Sequence, residues 1–348
     1  MWLAVWTRAV VAPAARRALG LWAGMLMAAA VIFGGTGMHA RDLTGLALGD
    51  PGVGAVLALT WLLVFVPVAR GLVRAEAASY LRSLPSPSVA PHAIAAVALL
   101  ALQLPWLALW VLGDGARGLV LVGALTIPIA LLAAWRPRPG RRIGARWASG
   151  PAALRGVFAR ALRRRAADAL LRGAGLAILA GTLAGLLVHN NELVGTAAAT
   201  LGTAAIAIVL VAAQVGVRLV LLDAYRQTAW LAATTGISDG ARVAALGVAI
   251  AGVDGVAAAL AVLAAVVVGQ LDPATAAWLA IATLGVALGG AIAGTRTLIR
   301  AADSPTVATR VVVGAAVAAG IAVLWLGVLG LVGVAGAVAT IAILAVRA

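Results

Sequence analysis

One carboxylate in this chain lies where a carboxylate is costly. Asp254 sits in Ala251-Gly-Val-Asp-Gly-Val, near the middle of the apolar run 243–268. An ionised side chain at the centre of a membrane span costs several kcal/mol unless it is paired, protonated or hydrated. Two readings follow. Asp254 faces a cavity as a proton relay or a cargo contact, or it is a protonated acid hydrogen-bonded to a neighbouring helix, which its flanking glycines allow to approach. Gln103 and Gln214 are further polar groups inside apolar runs. They read as hydrogen-bonding glue between helices.

The remaining chemical stock is small. Three histidines and eleven acids are scattered singly, without metal-ligand spacing, and no HExxH or GxSxG pattern occurs. With no cysteine, disulfides, thiolate metal sites and cysteine nucleophiles are excluded. All 26 cations are arginine, so a phosphate-cradling or Schiff-base lysine is excluded too. We therefore expect no catalytic residues, no metal and no cofactor in this chain. His189-Asn-Asn-Glu192 forms a compact polar turn that reads as a solvated loop.

What must position Asp254 is a set of membrane helices. Hydrophobic residues make up 64% of the 348 positions and charged residues 11%, against about a quarter charged in soluble domains. We expect an all-α polytopic integral membrane protein with about ten transmembrane helices. A span takes about 20 mostly apolar residues, and the candidates are 18–36, 53–69, 92–112, 117–135, 173–188, 197–217, 243–268, 274–294, 311–328 and 330–346. The last two share one long run, divided near Gly327–Gly333; a single span with a re-entrant piece is the alternative. Glycine pairs such as Gly173…Gly185 and Gly285…Gly289 predict close helix packing.

The arginines set the topology. Nearly all lie in connectors on one side of these spans, and Arg41 and Arg117 fall on the other. The positive-inside rule then places both termini in the cytoplasm. The net charge of +15 accordingly reads as membrane-facing loops rather than a nucleic-acid surface.

The chain divides into a first half (1–135), a basic connector (136–172) and a second half (173–348). The loops beginning at Tyr80 and Trp230 lie 150 positions apart and correspond loosely, each following an apolar span that ends in arginine and an acid. This suggests two tandem parallel repeats; likeness of composition among Ala/Leu/Gly/Val helices is the other explanation. In the connector, Arg136-Pro-Arg-Pro-Gly-Arg-Arg reads as coil. From Pro151 onward Leu154, Val157, Phe158, Ala161 and Leu162 share a helical face, while Arg155, Arg160, Arg163 and Arg164 occupy the remainder. That pattern predicts a helix in the headgroup plane with its arginines on anionic lipid or an acidic partner, or simply a charged tether. Residues 2–17, with Trp2 and Trp6 one turn apart, read similarly.

The segment Arg74-Ala-Glu-Ala-Ala-Ser-Tyr-Leu-Arg-Ser-Leu-Pro-Ser-Pro-Ser-Val-Ala resembles the cytoplasmic stretch after the second helix in ABC-type exporter permeases. The resemblance covers about 20 residues. It implies an exporter permease subunit in a bacterial cytoplasmic membrane that works with a separate ATP-binding subunit, which would bring ATP and Mg; the near absence of buried charge fits an amphiphilic or hydrophobic cargo, such as a lipid or peptide. It places Glu76, Arg82, Leu84, Pro85 and Ser86 at the docking contact, with Asp223, Tyr225, Arg226 and Trp230 as their counterparts in the second half. Two departures stand against it: such permeases usually have six spans, and the second copy reads Ala-Thr-Thr-Gly where Leu-Pro would fall. A turn rigidified by Pro85 and Pro87 is the alternative for the first loop. The competing functions are a proton-coupled transporter using Asp254 and a scaffold subunit of a membrane complex. Membrane lipids and a second copy or further membrane subunits are the other expected partners.

Overall fold

The computed structural model describes residues 2–29, 33, 39–74, 90–135 and 151–301. Every element among them is helical. Five helices are long and apolar enough to cross a membrane, and two bent helix pairs raise the number to seven. These lengths and compositions make the chain a multi-pass membrane protein. The proposed spans at 311–328 and 330–346 and the docking residues Glu76, Arg82, Leu84, Pro85 and Ser86 lie outside the described residues, as do residues 30–32 and 34–36 of the proposed first span.

The chain forms two compact units, Met1–Gly140 and Arg141–Ala348. The first begins with α1 (Trp2–Trp6), a π-helical turn (Thr7–Val11) and α2 (Ala12–Ala29). α3 (Ala40–Gly49) opens on His39, whose backbone N–H donates to the Asp42 carboxylate at 2.7 Å, satisfying a free helix-end donor. α4 (Pro51–Arg74) packs on α7 (Ala116–Ala134). Arg74 joins their ends by donating to Ala133 O at 3.1 Å and Trp135 O at 2.5 Å, a cation on the free carbonyls of a helix C-terminus.

Between them the proposed span 92–112 is not one helix. α5 (Ala90–Leu102) and α6 (Leu104–Asp114) meet at Gln103 with a 53° bend. Pro105, near the start of α6, has no N–H to continue the ladder. The Gln103 side-chain oxygen instead accepts from the Trp61 indole, and Trp61 stacks on Trp106 with ring centroids 5.2 Å apart. Gln103 thus hydrogen-bonds α4 from the break between α5 and α6.

In the second unit, α9 (Ala167–Asn190), α10 (Gly195–Ala213), α14 (Pro273–Ala301) and α13 (Asp239–Gly269) pack as a ring of four. The α9–α13 seam is built on small residues. A Cβ on Gly181 would collide with Ala261 O, and one on Gly185 would come within 2.6 Å of Ala265 O. Ala177, Ala180, Ala184, Ala257, Ala258 and Ala261 continue the seam, so the backbones approach closely enough for dispersion to hold them.

The proposed span 197–217 also breaks. α10 ends before Gln214, and α11 (Val215–Gln227) turns away by 53°. α12 (Ala229–Thr235) follows and ends in Gly236 at φ 68°, a left-handed position suited to glycine. The two breaks, at Gln103 and Gln214, do not correspond in the 150-residue register that the loops suggested.

α8 (Pro151–Arg165) corrects the expectation of a helix laid in lipid. Its Leu154 and Phe158 are buried against Val217, Leu221, Leu246 and Ile250 of α11 and α13. The apolar face predicted for lipid finds a protein partner instead, because α11, bent at Gln214, presents Val217 and Leu221 to it. Arg155, Arg160, Arg163 and Arg164 remain exposed on the other faces.

Candidate functional site

Asp254 lies on the packed face of α13, in step with Ile250, Ala257, Ala258 and Ala261, and is 5% exposed. Periodicity of 3.6 residues puts these positions on one stripe, so the carboxylate is carried into the bundle by the apolar residues around it. Its partner comes from α11. Arg218 Nη2 donates to Asp254 Oδ2 at 2.6 Å, and both side chains are largely enclosed.

Asp254 thus meets an arginine inside the bundle, and Arg218 stands elsewhere than its sequence position suggests. Counted along the sequence, Arg218 closes a span and belongs to an inner connector. The break at Gln214 redirects the chain so that Arg218, four residues into the run after the break, reaches back to α13. Its sequence environment, Val215-Gly-Val-Arg-Leu-Val-Leu-Leu, carries the signal: an arginine with apolar residues on both sides has no free water to reach unless it snorkels or pairs.

A cavity surrounds the pair. Thr203, Ile206, Leu210, Val211 and Gln214 line it from α10 and the break, Arg218 from α11, Asp254 from α13, and Thr283, Val286, Ala287 and Gly290 from α14. Its water-accessible volume is about 50 Å³, room for about three or four water molecules. The Thr203 and Thr283 hydroxyls bond each other at 3.1 Å. Val211, Ala287 and Gly290 are half-buried, so the cavity opens between α10 and α14.

The polar atoms there are incompletely satisfied. Asp254 Oδ1, Arg218 Nε and Gln214 Oε1 are buried and have no hydrogen-bond partner among the described residues. A buried polar group left unpaired costs about 1–3 kcal/mol, and three such atoms belong to residues in the wall of one cavity. Gln214, 3% exposed, sits at the break with its side-chain oxygen buried and without a hydrogen-bond partner among the described residues. Thr203, Thr283 and Arg218 are site residues that the sequence reading missed. The two threonines carry no sequence signal, since threonine is common in such helices and usually bonds its own backbone.

The far end of α11 is a charged surface. Arg165 of α8 donates to Asp223 at 2.9 Å and to Gln227 at 3.0 Å, and Gln227 in turn donates to Asp223 at 2.9 Å. Arg242 lies 4.4 Å over the Tyr225 ring, donates to Tyr225 O at 3.1 Å and pairs with Asp239 at 2.7 Å. Tyr225 is accordingly fixed inside the fold, while Arg226 and Trp230 are exposed, Trp230 by 68%. Of the four second-half docking candidates, Asp223 and Tyr225 are engaged within the unit and Arg226 and Trp230 face outward. Among the described residues no group of three His, Asp or Glu could hold a metal ion.

Compared with protein-family models, curated proteins and solved structures, the chain matches none.

Proposed function

We propose that this chain is the membrane-spanning permease subunit of an ABC-type exporter, moving an amphiphilic cargo with energy from a separate ATP-binding subunit. The observation that supports this reading most is the placement of α11. Arg218 near its start lies on the cavity, and Arg226, about 12 Å further along the helix axis at 1.5 Å per residue, lies on the exposed charged surface beside Trp230. A partner that pulls on α11 and α12 would act directly on the Arg218–Asp254 contact. With no lysine for a phosphate-cradling loop in this chain, the nucleotide belongs to the partner. Exposed arginine and tryptophan are the residue types that anchor protein interfaces.

The test is purification of the tagged chain in mild detergent, with identification of co-purifying proteins and an ATPase assay. A stoichiometric ATP-binding subunit, lost on Arg226→Glu or Trp230→Ala, supports the reading. A chain that purifies alone without nucleotide hydrolysis contradicts it.

One observation favours a second reading. Asp254 holds Arg218 through one oxygen and leaves the other buried without a hydrogen-bond partner among the described residues, in a residue that lines a small cavity. A carboxylate so placed has an open oxygen for a proton, and protonation would release the arginine. In that reading the chain is a proton-coupled transporter, and proton gradients rather than ATP drive it.

A further inference from the structure

We infer that one anionic glycerophospholipid binds where α8, α9 and α13 meet, with an acyl chain in the groove between these helices and its phosphate on Arg155 and Arg163. The inference does not rest on the transport reading.

The groove is large and aliphatic. Leu162 of α8, Leu170 and Ala174 of α9, and Gly252, Val253 and Val256 of α13 line it, and Gln214 is its single polar lining residue among those described. Its water-accessible volume is about 300 Å³, against about 50 Å³ for the α10–α14 cavity. Val248 and Val256, 55% and 64% exposed, mark its open side. Val248 and Leu260 limit it on α13, and between them the helix rises about 18 Å at about 1.5 Å per residue. Half the hydrocarbon core of a bilayer is about 15 Å, so the groove has the length of an acyl chain. Such walls offer dispersion contacts and almost no polar recognition, which suits hydrocarbon.

Depth places the charge. α13 has 31 residues, about 46 Å at the same rise, and a bilayer with its headgroups measures about 40–45 Å. The first turns of α13 therefore lie at headgroup level. α8 packs close to them, with Leu154 and Phe158 against Leu246 and Ile250. Its exposed arginines accordingly stand near the level of lipid phosphates.

The groove lies along one flank of α8. Leu154 and Phe158 mark the buried direction of this helix, and half-buried Leu162 is the edge that lines the groove. At about 100° per residue, Arg155 falls about 20° and Arg163 about 100° beyond that edge, away from Leu154 and Phe158. Arg160 and Arg164 lie about 160° from Leu162, on the far side. Asp223 and Asp239 are taken by Arg165 and Arg242, and Arg155 and Arg163 have no acidic partner among the described residues. A lipid phosphate supplies the missing counter-charge and accepts from guanidinium in a fork geometry. Phosphatidylcholine carries its own cation beside the phosphate, so a surplus of arginine selects a net-anionic headgroup.

Native mass spectrometry of the full chain, delipidated in mild detergent, tests this. It measures the first lipid bound from phosphatidylglycerol or phosphatidylcholine with identical palmitoyl and oleoyl chains. Phosphatidylglycerol should bind at least tenfold more tightly, the increment of about one or two arginines at an anionic surface. Arg155→Gln combined with Arg163→Gln should erase that preference and leave phosphatidylcholine binding unchanged. Arg160→Gln combined with Arg164→Gln should keep it. Gly252→Leu, where a Cβ meets open space, should fill the groove and weaken both lipids about tenfold. Retained helical circular dichroism and monodisperse elution check that each variant folds. Equal affinity for the two lipids would overturn the inference and leave the arginines to an acidic protein. Equal losses from the two arginine pairs would reduce the site to diffuse charge, and an unaffected Gly252→Leu variant would take the acyl chain out of the groove; either result also overturns it.

Discussion

Arg218 of α11 and Asp254 of α13, 36 residues apart in sequence, form a 2.6 Å ion pair inside the second unit's bundle. The pair ties α11, which carries Arg226 on the charged surface, to α13, the longest helix among the described residues of the unit. It also leaves one atom of each side chain without a partner.

Its removal should be asymmetric. Arg218→Ala or Asp254→Ala alone strands the other charge and should lower stability by about 3–5 kcal/mol. The double variant should cost less than the two losses combined, by about 1–3 kcal/mol. Thermal unfolding of the four proteins in one detergent measures this coupling. Strict additivity would mean that the two residues do not interact.

The α9–α13 seam is equally specific. Gly181→Ala places a methyl against Ala261 O, forcing the helices apart at an expected cost of about 1–3 kcal/mol. Gly290→Ala, which meets open space, should change stability little and gain slightly from helix propensity. Melting temperatures of the two variants decide it.

Phe158 separates two accounts of α8. Buried against α11 and α13, its replacement by Ala should destabilise the protein by about 3–5 kcal/mol. Replacing Arg155, Arg160, Arg163 and Arg164 together by Gln should leave stability nearly unchanged and weaken retention on anionic vesicles. The reverse pattern would restore a helix laid in lipid.

Helical class and most spans follow from apolar length alone, because a membrane span has to satisfy its own backbone. Asp254 was legible because a charge in an apolar run has few innocent explanations. Arg218 was not, because hydropathy treats a span as straight, and the break at Gln214 is set by tertiary packing rather than by any proline. The docking of α8 was hidden for a related reason: an amphipathic stripe states that an apolar face is buried, not what buries it.

Asp272 predicts a pH dependence. It caps α14 by accepting from Ala274 N and Thr275 N, each at 3.0 Å, and hydrogen bonding from Thr275 holds its carboxyl below the ordinary value of 3.8. A carboxyl depressed on folding contributes stability above its unfolded value and loses it as pH falls through the folded one. The melting-temperature difference between wild type and Asp272→Ala should therefore be constant above about pH 5 and shrink at progressively lower pH, below 3.8. Thr275→Ala should go further, because Thr275 also accepts from Gly195 N at 2.9 Å and so ties the start of α10 to α14.

Under the permease proposal, α11 carries energy from a nucleotide-binding partner to the cavity. The chain has no cysteine, so Val211→Cys at the cavity mouth gives a single thiol without further changes. Its labelling rate with a membrane-permeant maleimide, in the complex reconstituted into sealed vesicles, should change several-fold when a non-hydrolysable ATP analogue is added. A rate indifferent to nucleotide but shifted by a proton gradient would contradict the claim and place the drive at Asp254.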